Sequence, residues 1–570
     1  MVTADNRSRN PHPKPLGSLS VITWSDGQTW GDRPSETYLQ SLTRHRRQKP
    51  DEIFLDFDGL TVTYEMLDTR STKMANALAK LGVEKGHTVV ALLDNSEDMM
   101  LAFCAVNKLG AIWVPINTAY KGEFLRHQVA DSEAPLAICE SQYLDTMLAI
   151  IAELPKLERI LVRNWGGDLE TDVALASLDS VRGDDPTPPA TPVEPEDISC
   201  LLYTSGTTGP SKACMISHNY MCSVGRRRNV SVPPVHGEVT WSCLPLFHSA
   251  ALGSIFIANL LAGERVAIGS RFSVSSFWDE IERSQAKSAV ILASMLPLVA
   301  HAPDTPAMLR CRGQLRVVTG VPLTAADRQI WLERFGVQYL NSFAYGQTEA
   351  NFVSLLPFGE PIPPLDSMGP PSEDFDVMVM GEDHRPTPLG TAGELVVRPR
   401  HPGTIFSGYW HRPNDTIKAM EDLWWHTGDF VRMDGNGYLY FVDRKKDYLR
   451  SRGENISSFE VESAVMKHPA IAEVAFHAIS GHVGTEDEIK ATVILRLDAV
   501  ITERELFLWA RENLPYFAVP RYIEFRNSLP KTPVGRVQKH ELRAEGKTET
   551  TWDAFAEGLE IRRKKPSSTI

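Results

Sequence analysis

The sequence predicts an α/β protein, a large first unit of layered sheets and helices followed by a small α+β unit. Three observations carry that expectation. At 570 residues the chain exceeds one ordinary domain. Short apolar runs alternate with helical periods in its first part, the pattern of α/β layers around a parallel sheet. Near the C-terminus, strand-like segments alternate with helices over roughly a hundred residues, the size of a compact module.

In order, TVTY (61–64) reads as a strand, and 65–81 as a helix with Leu67, Met74, Leu78 and Leu81 in period. VVALL (89–93) is a short buried strand, 99–109 an apolar helix and AIWVP (111–115) another strand. A Pro- and Asp-rich linker covers 182–197. In the last part, 472–476 and 491–495 read as strands, and 459–467 and 502–513 as helices. The charged stretch 443–447 is the expected join and hinge. The expected divisions are a polar tail at 1–34, a first domain at 35–445, a second at 446–545 and a tail at 546–570.

Composition excludes some classes. Hydrophobic content of 42% and charged content of 23% suit a soluble globular protein. A net charge of −13 argues against a nucleic-acid-binding surface. The run Arg226, Arg227, Arg228 reads first as a solvated helix face, and as a phosphate-contacting patch only second. The 7 cysteines show no metal-ligand spacing, which suits reduced thiols in a cytoplasmic protein. No secretory h-region and no run of about 18 apolar residues occurs, so no membrane span is expected.

YTSGTTGPSKACMISH (203–218) follows an apolar run and is crowded with hydroxyls and glycine. Gly206 and Gly209 let backbone N–H groups approach a ligand. Thr204, Ser205, Thr207 and Thr208 add donors, and Lys212 adds charge, so the stretch reads as an anion cradle. It departs from the nucleotide-binding P-loop, because Pro210 and Ser211 separate the last glycine from the lysine. Taken alone, it fits a solvated Gly/Thr loop as well.

Further segments follow in order: PLFHSAALG (245–253), TGVPL (319–323), YGQTE (345–349), GELVVRP (393–399), HTGD (426–429), DRKKDYLRSRGENI (443–456) and LPKTPVGR (529–536). With them, the chain from about 35 to 545 resembles the adenylate-forming superfamily of acyl-CoA synthetases, adenylation domains and luciferases. INTAYKGEFL (116–125), GENISSFEVE (453–462) and LPYFAVPRYIEF (514–525) look most like its crotonobetaine/carnitine-CoA ligase group. The resemblance implies an adenylate-forming fold with a mobile C-terminal domain, and ATP, Mg²⁺ and coenzyme A as cofactors. A carboxylate attacks the α-phosphate of ATP, and a thiol then takes the acyl group.

By the same resemblance, Thr204, Ser205, Gly206, Thr207, Thr208, Gly209 and Lys212 hold phosphates. Gly320, Val321 and Pro322 lie beside adenine, Asp429 and Arg444 hold the ribose, and Tyr345, Gly346 and Gln347 complete the nucleotide site. Thr348 contacts the α-phosphate and Glu349 ligates Mg²⁺, a hard carboxylate for a hard cation. His248 borders the acyl carboxylate and gates the thiol channel. Lys446 is the hinge, and Gly453 and Glu454 line the pantetheine tunnel. The catalytic set is Thr204, His248, Glu349, Lys446 and Arg536.

Three positions depart from the family pattern. Lys212 is followed by Ala213 rather than glycine, Arg452 replaces a common glycine, and Arg536 stands where relatives carry lysine. Arginine keeps the charge but is wider and planar. Lys539, three residues on, is not expected to substitute. The uncharged Ser249, Ala250 and Ala251 after His248 favour a simple carboxylic acid over an amino acid. The expected partners are that acid and CoA, with no nucleic acid and room for a homodimer. The alternatives are an enzyme loading a separate carrier protein, a luciferase-like oxygenase, an acyl-AMP ligase, and a binding protein that kept the fold and lost adenylation.

Overall fold

The computed structural model describes residues 14–22, 35–167, 169–204, 210–292, 295–320, 323–444, 448–452, 454–480, 487–497, 499–531 and 537–561. Its first part is built on two seven-stranded sheets. In one, Ile198–Thr204, Ile112–Pro115, Thr88–Leu92, Leu136–Glu140, Arg159–Arg163 and Ala174–Ser177 run parallel, and Lys212–Ser217 folds back antiparallel on Ile198–Thr204. In the other, Tyr339–Asn341, Val317–Thr319, Ser288–Val290, Val239–Ser242, Arg265–Ile268 and Ile53–Phe57 run parallel, with Leu60–Thr63 antiparallel at the edge.

The alternation read from sequence corresponds to these strands and to helices packed between them. Thr63 caps the helix Tyr64–Lys80 by accepting from the Met66 amide, so the chain turns from strand to helix one residue earlier than expected. Helix Glu97–Lys108 starts at the Ser96 cap with Glu97 and Asp98 in its first turn, where the helix dipole favours acids. Its residues from Asp98 to Asn107 are buried, as a helix enclosed on all sides must be. Phe103 stacks on Tyr38 at 5.1 Å and meets Phe256 edge-on at 6.1 Å in the central core.

An antiparallel sheet follows, in the order Val21–Ile22, Phe375–Met380, Gly393–Pro399, Trp425–Met433 and Leu439–Arg444. The last part holds the strands Ile471–Ser480, Asp487–Leu495, Tyr522–Phe525 and Trp552–Asp553 with helices Ser458–Val465 and Glu503–Asn513. This α+β unit packs on the first part through helix Gly122–Ser132. Phe124 lies in its apolar cluster, Tyr120 meets Phe517 at 6.1 Å, and Lys121 donates to the Arg511 carbonyl at 2.9 Å.

Three expectations change. Part of the expected N-terminal tail is structural, since Val21 and Ile22 pair with Met378 and Val377. Residues beyond 546 belong to the second unit: Trp552 and Asp553 add a strand to its sheet, and Ala554 is buried. Arg521 drives this by gripping Asp553 with two bonds of 3.0 Å. The arginine run is not a solvated face. Arg226 pairs with Glu36 at 2.6 Å, while Arg227 and Arg228 are buried.

All 7 cysteines are buried and unpaired. Among the described residues no helix is long and apolar enough to cross a membrane, and no group of three or more His, Cys, Asp or Glu could hold a metal ion.

Candidate active site

The hairpin of Ile198–Thr204 and Lys212–Ser217 brings Thr204 opposite Lys212 at the carboxyl end of the first sheet. Ligands of parallel α/β sheets bind at such ends. Thr204 Oγ1 donates to Glu349 Oε1 at 3.2 Å, and the Tyr409 hydroxyl donates to the same oxygen at 2.8 Å. Two neutral donors therefore fix a buried carboxylate in place. Lys212 Nζ sits 3.0 Å from Asp415 and 5.1 Å over the Tyr409 ring.

Around Glu349 the YGQTE segment is tied down at each residue. Tyr345 OH donates to Asp429 Oδ2 at 2.5 Å, and Gln347 Nε2 reaches the same oxygen at 2.9 Å. Trp425 Nε1 orients Gln347 from the other side at 3.3 Å. The Tyr220 hydroxyl donates to the Thr348 carbonyl at 2.8 Å and accepts from the Asn351 amide at 2.9 Å. Gly346 must be glycine, because a Cβ there would lie 2.5 Å from the Phe352 nitrogen. Gly320 is crowded less rigidly, since an added Cβ would meet the movable end of Leu296 at 2.6 Å and the Ile291 carbonyl oxygen at 3.1 Å. Asp429 and Arg444 are backbone partners across adjacent strands.

His248 ends the turn after Val239–Ser242. Its Nε2 lies 3.4 Å from Glu454 Oε1, which also accepts from Asn117 Nδ2 at 3.3 Å. Burial disfavours the charged imidazole, but the Glu454 carboxylate outweighs it and raises the His248 pKa. A second contact joins the two units. The Ser211 amide donates to Glu460 Oε1 at 2.7 Å, beside a 2.9 Å contact of His127 Nε2 with the Ser211 carbonyl. Burial pushes the Glu460 carboxyl up.

The structure thus links Thr204 to Glu349 beside Lys212 at the end of the first sheet, ties Tyr345 and Gln347 to Asp429, leaves Gly320 at the end of a strand of the second sheet, and sets His248 against Glu454. Ser205, Gly206, Thr207, Thr208, Gly209, Val321, Pro322, Lys446, Gly453 and Arg536 lie outside the described residues. Arg452 Nη1 donates to the Tyr516 carbonyl at 3.4 Å. Lys539 is engaged within its own unit, 2.7 Å from Glu462 and 2.6 Å from Ser458 Oγ. Sequence reasoning missed Tyr409, Asp415, Tyr220, Asn117 and Glu460. None sits in a spacing that announces a role, and each reaches the site only through folding.

The profile of the AMP-binding enzymes matches residues 42–410, and that of the AMP-binding enzyme C-terminal domain matches 460–536. The chain belongs to the AMP-binding enzymes. This AMP-binding enzyme is 30% identical to a feruloyl-CoA synthase of Amycolatopsis sp over 523 residues, covering 88% of this chain and 97% of that protein. It is 28% identical to the crotonobetaine/carnitine–CoA ligase of Citrobacter koseri over 86% of this chain and 95% of that one. Its fold is that of o-succinylbenzoate CoA synthetase from Bacillus subtilis, with a TM-score of 0.75 at 22% identity over 89% of this chain and 98% of that chain. The amide bond synthetase from Marinactinospora thermotolerans also matches at 0.75, at 23% identity over 90% and 99%. The adenylate-forming fold, large first domain and smaller C-terminal domain, is therefore that of this AMP-binding enzyme.

Proposed function

We propose that the chain is an ATP-dependent acyl-CoA ligase that forms an acyl-adenylate from a carboxylic acid and then passes the acyl group to coenzyme A, with release of AMP and pyrophosphate. The observation that carries this reading is the pair of contacts from the second unit, Glu454 to His248 and Glu460 to Ser211, which bring one module onto both the acyl end and the phosphate loop.

Residues 204–209 with Lys212 cradle the β- and γ-phosphates. Gly320, Val321 and Pro322 flank adenine, and Asp429 and Arg444 take the ribose hydroxyls. Glu349 fits a Mg²⁺ ligand, since it offers a hard oxygen fixed by Thr204 and Tyr409, and Mg²⁺ commonly takes one or two carboxylates plus substrate phosphates. When bound, that ion would neutralise phosphate charge. The chain itself contributes position: Thr348 is held by Tyr220, and Tyr345 and Gln347 hold Asp429. Arg536 bridges carboxylate and α-phosphate in the first half-reaction. The second unit then turns about Lys446 so that Gly453 and Glu454 line the thiol path. Buried, unpaired cysteines support a reducing cytoplasmic setting.

The test is pyrophosphate release from ATP and Mg²⁺ with a panel of acids, followed by thioester formation on adding CoA. Release that depends on acid, and acyl-CoA only with CoA present, is expected. Nucleotide binding without release for any acid would overturn the reading in favour of a binding protein.

A further inference from the structure

The inner face of the second sheet is unusually polar for a buried surface. Register places Thr240 beside Ser288, Ser288 beside Val317, Val317 beside Tyr339, and Thr319 beside Asn341. The opposite face carries Trp241, Ala289, Val318 and Leu340 in a fully apolar cluster. One face of the sheet thus packs as ordinary core, while the other sets hydroxyls and an amide beside the apolar Leu55, Val266, Ile268 and Val290. Ser288 Oγ, Thr319 Oγ1, Tyr339 OH and Asn341 Oδ1 are buried there without a hydrogen-bond partner. Buried polar atoms are nearly always satisfied, so several on one face point to a polar occupant.

The C-terminal end of helix His218–Ser231 meets this face, with Asn341 Nδ2 donating to Ser231 Oγ. One turn before Ser231 stands Arg228, 6% exposed. Its Nη1 bonds the Val232 carbonyl and Asn229, but Nε and Nη2 have no partner, and among the described residues no carboxylate pairs with it. The nearby Arg316 is already paired with Glu238 at 2.7 Å. Burial, and then the Arg316 charge, push Arg228 down to about 10. A buried guanidinium without a counter-ion is costly, and an anion bound beside it would offset that cost. The other end of the helix meets the reaction site, since the Tyr220 hydroxyl holds Thr348. From Tyr220 to Arg228 the helix advances about 12 Å, at 1.5 Å per residue.

We propose that Arg228 determines acyl specificity by receiving a second anionic group, so that the substrate is a dicarboxylic acid whose distal carboxylate lies between helix His218–Ser231 and the polar sheet face. This rests on the acyl-CoA ligase reading and deepens it. The same charge sets the site against acids bearing a quaternary ammonium and against plain fatty acids.

The experiment compares kcat/KM for pyrophosphate release with a series of α,ω-dicarboxylic acids, monocarboxylic acids of matched length and a trimethylammonium acid. Binding of the same acids in the presence of AMP is measured separately by calorimetry. A dicarboxylic acid is expected to lead its matched monocarboxylic acid by about 10²-fold, the scale of a buried charge-assisted bond. Arg228→Met should reduce that ratio to near one, with Arg228→Lys intermediate. Arg228→Met should also raise the melting temperature of the free protein, because it removes an uncompensated buried charge. A residue that merely caps its own helix would instead lower it. A ratio near one in the parent, or one unchanged in Arg228→Met, overturns the proposal. If no acid releases pyrophosphate yet dicarboxylic acids bind in an Arg228-dependent way, the ligase reading falls and the anion site stands. If they do not bind either, both fall.

Discussion

Glu349 has little freedom, with one carboxylate oxygen held by two hydroxyls from different parts of the chain. Glu349→Gln should preserve the fold, because an amide oxygen still accepts from Thr204 and Tyr409. It should lower pyrophosphate release by about 10²-fold or more, since a neutral amide is a poor Mg²⁺ ligand. Full release at ordinary Mg²⁺ would remove Glu349 from the role proposed. His248 carries the second prediction. Its pKa is raised in the folded protein, so the ion pair with Glu454 contributes fully below the ordinary histidine range, near 6.5. That contribution is lost as pH rises through the raised value. Docking of the second unit, followed by energy transfer between dyes on the two units, should weaken over that window, and Glu454→Gln should flatten the response. A pH dependence unchanged in Glu454→Gln would dissociate the two residues.

Helix Ser458–Val465 and the hairpin after Thr204 are separate in sequence, yet they meet through Glu460 and the Ser211 amide. That contact ties the start of strand Lys212–Ser217 to the second unit. Glu460→Ala should slow transfer from a supplied acyl-adenylate to CoA severalfold while changing adenylation less. Equal loss in both half-reactions would mean that Glu460 serves folding. The arginine run teaches a related lesson about helices. Charge pattern on a helix reads as a solvated face, but Arg227 pairs with Asp374 at 3.1 Å in the interior and Arg228 is buried. A helix roofed by other elements has no solvent side, and the local pattern cannot report the roof.

For the protein as a unit, the proposed function assigns Arg536 to the first half-reaction alone and Gly453 to the second, with the second unit turning between them. Arg536→Ala should lower acyl-adenylate formation by about 10²-fold or more and leave acyl transfer to CoA nearly untouched. Arg536→Lys should match or exceed the parent if the pocket still fits an ammonium. Slowing of both half-reactions alike by Arg536→Ala would remove its special role. Deleting 551–561 separates a tail from a structural strand. Loss of Trp552, buried Ala554 and the two-bond grip of Arg521 on Asp553 should destabilise the second unit by about 2 kcal/mol or more, read by calorimetric unfolding. An unchanged transition would restore the tail reading.

The sequence alone determined the α/β class, the family and the positions of the strands and helices it named. Those features are local, written as apolar period, capping residues such as Thr63 and Ser96, and short motifs such as YGQTE. The two extra sheet strands were missed because Val21–Ile22 and Trp552–Asp553 are two residues long, too short for any period, and exist only through distant partners. Tyr409, Asn117 and Glu460 were missed for the same reason, since each acts across more than 50 positions of chain. The polar sheet face became visible only once register aligned Ser288, Thr319 and Asn341 on one side and the bond from Asn341 brought the end of helix His218–Ser231 to it. Burial turns a hydroxyl or a guanidinium from an ordinary surface group into one that needs a partner, and burial is a property of the folded chain.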